Sequence, residues 1–280
     1  HALGPQDQDG FANLFFAALA NVPAGTPFFP AAYHDGSVPT FAIATEAADL
    51  AVSAFTQSKS LAEARSNLIT ALEHNAQKMT AVANELTNRF ADTLNLQFGG
   101  IDYSLAPFPE VERSLGTALE RLGIAAVGYH GSLAAAAFVT DTVDQAKFAR
   151  TGFSGLMLPV LEDATLAARA KQDILSIKDM LLYSAVCGTG LDTVPLPGDT
   201  TIEQLQAVLL DLAALALRLD KPLTARLMPI PGKAAGDPTD IDFAFFANSR
   251  VLTLEAQPLT GHLTGDENFS ITARKHRNPG

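Results

Sequence analysis

The sequence is poor in the residues that reveal a chemistry at once. It holds one cysteine, Cys187, and no tryptophan. A single thiol excludes an intrachain disulfide and fits a reducing cytoplasm, the location expected from composition. Positive charge is also scarce, with 19 Lys and Arg against 30 Asp and Glu, a formal net charge of -11. No Lys/Arg-rich run is present, which argues against a nucleic-acid partner. No uncharged apolar stretch reaches the roughly 18 to 20 residues that a spanning helix requires, and no basic segment precedes an apolar one in the manner of a signal peptide, so no membrane partner is expected. The chain opens on His1, and its first ten residues (HALGPQDQDG) are polar and turn-rich, which is read as a fragment or a processed chain.

Apolar residues make up 48% of the 280, enough for a sizeable core in one large domain. Helical spacing over Thr40 to Thr56 predicts a first helix, and a stretch without Gly or Pro from Ser60 to Leu94 predicts a long outer one. Short apolar runs closed by Gly or Pro then alternate with amphipathic segments. QFGGIDYSLAPFP, GIAAVGYHG, FSGLMLPV, MLLYSAVCGTG, KPLTARLMPI and SRVLTLE read as strands, with helices near 111–122, 132–149, 164–172 and 201–219. The expectation is an α/β domain: a mainly parallel sheet covered on both faces by surrounding helices, or closed or nearly closed into a barrel. One domain is expected over 1–280, with 256–280 as an exposed tail.

In such folds the loops at the carboxyl ends of strands build the site. The most structured candidate is LLYSAVCGTGLDTVPLPGDTT, centred on Tyr183 to Asp199. Gly188 and Gly190 permit positive φ or a close approach of backbone to ligand, and Pro195 and Pro197 stiffen the rest of the loop. Asp192 is a candidate acid/base or metal ligand, or a loop hydrogen-bonding group. Asp199 either braces a helix start or contacts a ligand, and a capping box falls on Thr200 with Glu203 or on Thr201 with Gln204. Thr193 stands where a dinucleotide fingerprint needs its third glycine, so that reading fails.

Cys187 is a candidate nucleophile or a buried small hydrophobe, and Tyr183 lines the same cavity or packs in the core. Arg226, set among apolar neighbours, must find a carboxylate, a carbonyl or an anionic ligand. Asp192, Asp102 and Glu162 are the internal options, and a small anionic metabolite is the external one. Lys233 is either a second anion contact or a solvated loop charge. His130 could shuttle a proton beside Ser132, although no Gly-x-Ser-x-Gly elbow is present. His34, Asp35, Glu46 and Asp49 offer a weak metal constellation without HxxxH, HxH or a cysteine pair, so neither metal nor cofactor is assigned.

The stretches FAALANVPAGTPFFPAAYH, FGGIDYSLAPFPE, GFSGLMLPVLED, YSAVCGTGLDTVPLPGDT and KPLTARLMPIPGKAAGD resemble those of domain of unknown function 711, related to uncharacterised protein family 0210, over nearly the whole chain. The resemblance implies a barrel similar to that of pyruvate formate-lyase and an additional N-terminal segment. It does not carry radical chemistry, because ITARKHRNPG lacks a glycyl-radical signature. Two functions stand side by side: an enzyme acting on a small anionic metabolite, and a non-catalytic metabolite-binding or structural homo-oligomer, with NLFFAALANV at a subunit contact or buried in the monomer.

Overall fold

The structure is a computed structural model that describes residues 16–29, 31–32, 36, 38–187, 189–264 and 268–274. In chain order it contains β1 (Ala18–Ala20), β2 (Thr40–Ala44), α1 (Ala48–Gln57), α2 (Leu61–Arg89), α3 (Ala91–Leu94), β3 (Gln97–Asp102), α4 (Leu115–Arg121), α5 (Ser132–Gln145), α6 (Ala164–Lys171), α7 (Ile177–Ser184), β4 (Gly190–Pro197), α8 (Ile202–Leu219) and β5 (Leu223–Ile230).

Among the described residues the strands form two small sheets rather than a barrel. One has three strands in the order β1-β5-β4, with β1 antiparallel and β4 parallel to β5; the other is the parallel pair β2-β3. Among the described residues only isolated bridges lie outside these ladders, including Ile101 with Arg150, Leu105 with Leu156, and Pro159 with Asp192. The expected closed, mainly parallel sheet is therefore corrected to a mixed α/β arrangement. The physical reason is that continuous apolar runs suit a buried strand, a buried helix and a buried loop alike. GIAAVGYHG and FSGLMLPV make single bridges and no ladder.

MLLYSAVC departs from its expected strand with larger consequences. Its first part is helix α7, because Ser176 accepts from the Asp179 amide while the Asp179 carboxylate accepts from the Ser176 amide, a capping box that nucleates the helix. The strand is instead the next segment, GLDTVPLP, whose glycine and prolines suggest a loop. Its prolines are tolerated because β4 pairs with only one full strand, β5, and on its other flank makes a single bridge.

The remaining differences are local. Residues 40–44 are strand rather than helix because they pair with β3, and the helix begins at Ala48. The long helix is capped by Ser60, which accepts from the Glu63 amide, and it breaks at Phe90, whose φ is -109°. Its buried stripe of Ala64, Leu68, Leu72 and Ala76 repeats every four residues. Most of the core is one cluster through α1, α2, α5, β3 and β4; a smaller one joins Leu161, Met228, Ile230, Ile241, Phe246 and Val251. β1 runs along β5, and segment 268–274 reaches α8, where Arg218 donates to the Thr272 carbonyl at 2.7 Å. No helix among the described residues is long and apolar enough to cross a membrane.

Candidate functional site

A β-bulge organises the site. Leu191 pairs with Ala225 and Val194 with Leu227, so Asp192 and Thr193 together face Arg226 alone. Thr193 takes a left-handed φ of 42°, as the extra residue of a bulge often must. The bulge also holds the chain that continues from the bridge at Pro159. The Val160 amide donates to the Asp192 carbonyl at 3.0 Å, and the Leu161 amide donates to Thr193 Oγ1 at 3.2 Å. One irregularity in one strand thus brings Asp192, Arg226 and the next residue, Glu162, together.

Arg226 Nε donates to Asp192 Oδ1, and Nη2 donates to Glu162 Oε1 at 3.1 Å and Oε2 at 3.4 Å. The Asp192 side chain is fully buried, whereas that of Glu162 is 26% exposed. Asp192 Oδ2 is buried and has no hydrogen-bond partner among the described residues. The Phe29 ring lies over the guanidinium at 5.5 Å and meets Phe153 edge-on at 6.4 Å, closing one face of the cluster with apolar surface.

Burial would weaken the hold of Arg226 on its proton, but Asp192 and Glu162 more than reverse that and leave it raised. Burial, then Asp192, push the Glu162 carboxyl up to about 7 against the opposing pull of Arg226. A carboxyl near neutrality beside a fixed ion pair can both accept and donate a proton. Sequence reasoning identifies Glu162 only as a possible partner of Arg226, not as a site residue. The signal available is its place at the end of an apolar run, LMLPVLED, immediately before a helix.

The other sequence candidates do not converge on this cluster. Cys187 and Tyr183 lie before the amino end of β4, opposite to the carboxyl end at which a strand over 180–187 would have placed them. Burial pushes the Cys187 thiol up despite nearby Lys221, the reverse of what activates a nucleophile, and Lys221 Nζ donates to the Cys187 carbonyl oxygen. Burial likewise pushes the Tyr183 phenol up, against hydrogen bonds with Ser132 and the Gly128 backbone. Gly188 lies outside the described residues. Gly190 has φ 97°, and a Cβ there would stand 2.2 Å from the Thr224 carbonyl oxygen, so its hydrogen permits close β4–β5 packing.

Asp199 is exposed in the turn after β4, and it is Thr201 with Gln204 that forms the capping box of α8. Lys233 pairs with Asp240 at 3.0 Å at the surface. His130 is exposed, while Ser132 Oγ donates to the Tyr129 carbonyl at 2.7 Å. His34 and Asp35 lie outside the described residues, and among those described no group of three His, Cys, Asp or Glu side chains is placed to hold a metal. A cavity of about 420 Å³, lined by Leu175, Ile177, Val208, Arg250 and Leu252 among others, contains none of the candidates.

The fold and the cluster define a mixed α/β protein with a partly buried Asp-Arg-Glu group fixed by a strand bulge. The chain belongs to the family described as Uncharacterised ACR (DUF711), whose model matches residues 2–243. Its relatives include a UPF0210 protein of Pyrobaculum aerophilum, 36% identical over 236 residues, which are 81% of this chain and 51% of that protein. That of Methanopyrus kandleri is 34% identical over 238 residues (82% and 52%), and that of Syntrophobacter fumaroxidans 33% over 244 residues (83% and 52%). The chain spans about half the length of the curated relatives it matches.

Proposed function

We propose that this chain is an enzyme acting on a small anionic metabolite, with Glu162 as the proton carrier and Asp192 as the fixed counter-charge of Arg226. The observation that carries the reading is a partly exposed carboxyl, pushed up to about 7, held against a buried carboxylate and a shared guanidinium. That combination suits general acid–base chemistry at neutral pH. Asp192 Oδ2, lacking a partner in the described residues, supports a site that is completed by another molecule. Asp192 thereby moves from acid/base candidate to electrostatic anchor, because its first oxygen is committed to Arg226 and its side chain is sealed from solvent.

The test is incubation of the full chain with a metabolite mixture, followed by mass spectrometry. Conversion of one component by the wild type, reduced about 100-fold or more in Glu162→Gln with unchanged circular dichroism, is the expected outcome. Equal conversion by the variant rejects Glu162 as proton carrier. The second reading, a non-catalytic binding or structural protein, is favoured by one feature: Arg226 is already neutralised within the protein by Asp192 and Glu162. A bound component recovered chemically unchanged would establish that reading instead.

A further inference from the structure

The two carboxylates on Arg226 are not equivalent. Asp192 takes the Nε edge, is fully buried, and belongs to a strand whose backbone is bonded to Val160. Glu162 reaches Nη2 alone with both oxygens, and its side chain is about a quarter exposed, at 26%. Nη1 has no partner among the described residues, so the Nη1/Nη2 edge, which can bind an oxyanion through two parallel hydrogen bonds, is half used. Phe29 lies over one face of the guanidinium at 5.5 Å.

We propose that Glu162 stands on Arg226 in the place of a ligand oxyanion, a carboxylate or a phosphoryl-type group, and is displaced with uptake of one proton when that ligand binds. This rests on the acid–base reading of the same residues and adds the ligand's class and its proton coupling. The exchange is balanced. Before it, Asp192, Arg226 and an ionised Glu162 sum to one negative charge. Afterwards Asp192, Arg226 and a monoanionic ligand carry that one charge, or two with a dianionic ligand, and in both cases Glu162 has become a neutral carboxylic acid with a proton from solvent. No bond to carbon or phosphorus is made or broken.

Proton uptake also answers an otherwise unmet demand. Asp192 Oδ2 is a buried acceptor without a partner among the described residues, and a protonated neighbouring carboxyl supplies the donor it lacks. The charged groups that act on Glu162 are Asp192 from β4, Arg226 from β5, and Glu46 from the segment before α1; Glu46 is itself 3.7 Å from Arg113. Asp192 and Glu46 favour the protonated acid and Arg226 opposes it. Removing Arg226 from Glu162, as the ligand would, leaves the two carboxylates to favour the proton.

Isothermal titration of the full chain with acetate and, separately, with sulfate tests this at pH 6, 7 and 8, because neither anion titrates in that range. Each titration is run in two buffers of different ionisation heat. One of the anions should bind with close to one proton taken up per ligand at pH 8, and its Kd should rise about five-fold between pH 7 and pH 8. Acetate binding assigns a carboxylate ligand, and sulfate binding a phosphoryl-type one. Glu162→Gln should bind the same anion at pH 8 at least about ten-fold more tightly and without pH dependence, and Arg226→Lys should lose the binding. No heat from either anion at pH 6, no proton uptake at pH 8, or an unchanged pH slope in Glu162→Gln overturns the proposal. Retained metabolite conversion together with any of these overturns the exchange while leaving acid–base chemistry at Glu162 standing; anion binding without conversion does the reverse.

Discussion

Glu162 and Asp163 are consecutive acidic residues with opposite surroundings, and Asp192 lies between them in character. Asp163 is fully buried with no cation beside it among the described residues, yet its oxygens accept from Ser114 Oγ at 2.6 Å, Gly116 N at 3.0 Å, and the Thr165 and Leu166 amides at 2.9 Å each. It caps α6 and ties that helix to the start of α4, so its charge is spread over donors fixed by two helix ends. Asp192 is equally buried but leans on one guanidinium and leaves Oδ2 unpartnered among the described residues. Glu162 shares that guanidinium from the solvent side. Many short hydrogen bonds from fixed donors make a carboxylate structural, whereas one that reaches solvent and rests on a single shared cation has few partners to hold it.

The sharpest way to break this contrast is Asp163→Ala. Two helix starts lose their acceptor together, and the expected loss is about 4 kcal/mol, read as a lowered urea midpoint. A loss below about 1 kcal/mol would mean that the node is redundant. Arg226→Met comes next, at about 3 kcal/mol, because it strands a buried ionised Asp192. Adding Asp192→Leu to that variant should recover most of the loss, and a double-mutant cycle with no recovery would show that Asp192 is not held chiefly by Arg226.

Glu162→Gln gives a smaller effect of opposite sign. The Glu162 carboxyl rises from its ordinary 4.5 to about 7 on folding, so the stability linked to its proton is present below about pH 4.5 and is lost as pH climbs through about 7. The variant, neutral throughout, should match the wild type near pH 4.5 and exceed it by on the order of 1 to 2 kcal/mol at pH 8, measured as thermal midpoints at each pH. A constant gap across that range would remove the argument for a proton-carrying Glu162. Lys233→Ala should change stability by less than about 0.5 kcal/mol, since its pair with Asp240 is at the surface.

Local rules are legible wherever a side chain acts on its own backbone. The Thr201 and Gln204 capping box, α8 and β5 arise from residues a few positions apart. Arg226 among apolar neighbours announces a buried partner, and Asp192 and Glu162 are both in the set it could choose from. The boundary between α7 and β4 is not legible, because LLYSAVC is apolar in either state and the glycines and prolines of GTGLDTVPLP suggest a turn. That ambiguity puts Cys187 and Tyr183 at the wrong end of a strand and makes Asp192 look like a loop residue.

By itself the sequence determined the acidic balance, the capping residues at the start of α8, the family and the presence of an arginine that could not be buried alone. The balance and the caps are properties of composition or of neighbours within one helical turn, and the family shows in long runs of consecutive residues. Only the tertiary structure decided that the strands form two small sheets, that a bulge turns Asp192 toward Arg226, and that Glu162 rather than Cys187 or His130 completes the group. Pairing between β4 and β5 joins residues more than thirty positions apart, and a one-residue bulge sets which side chain enters the site, so no local pattern can carry that information.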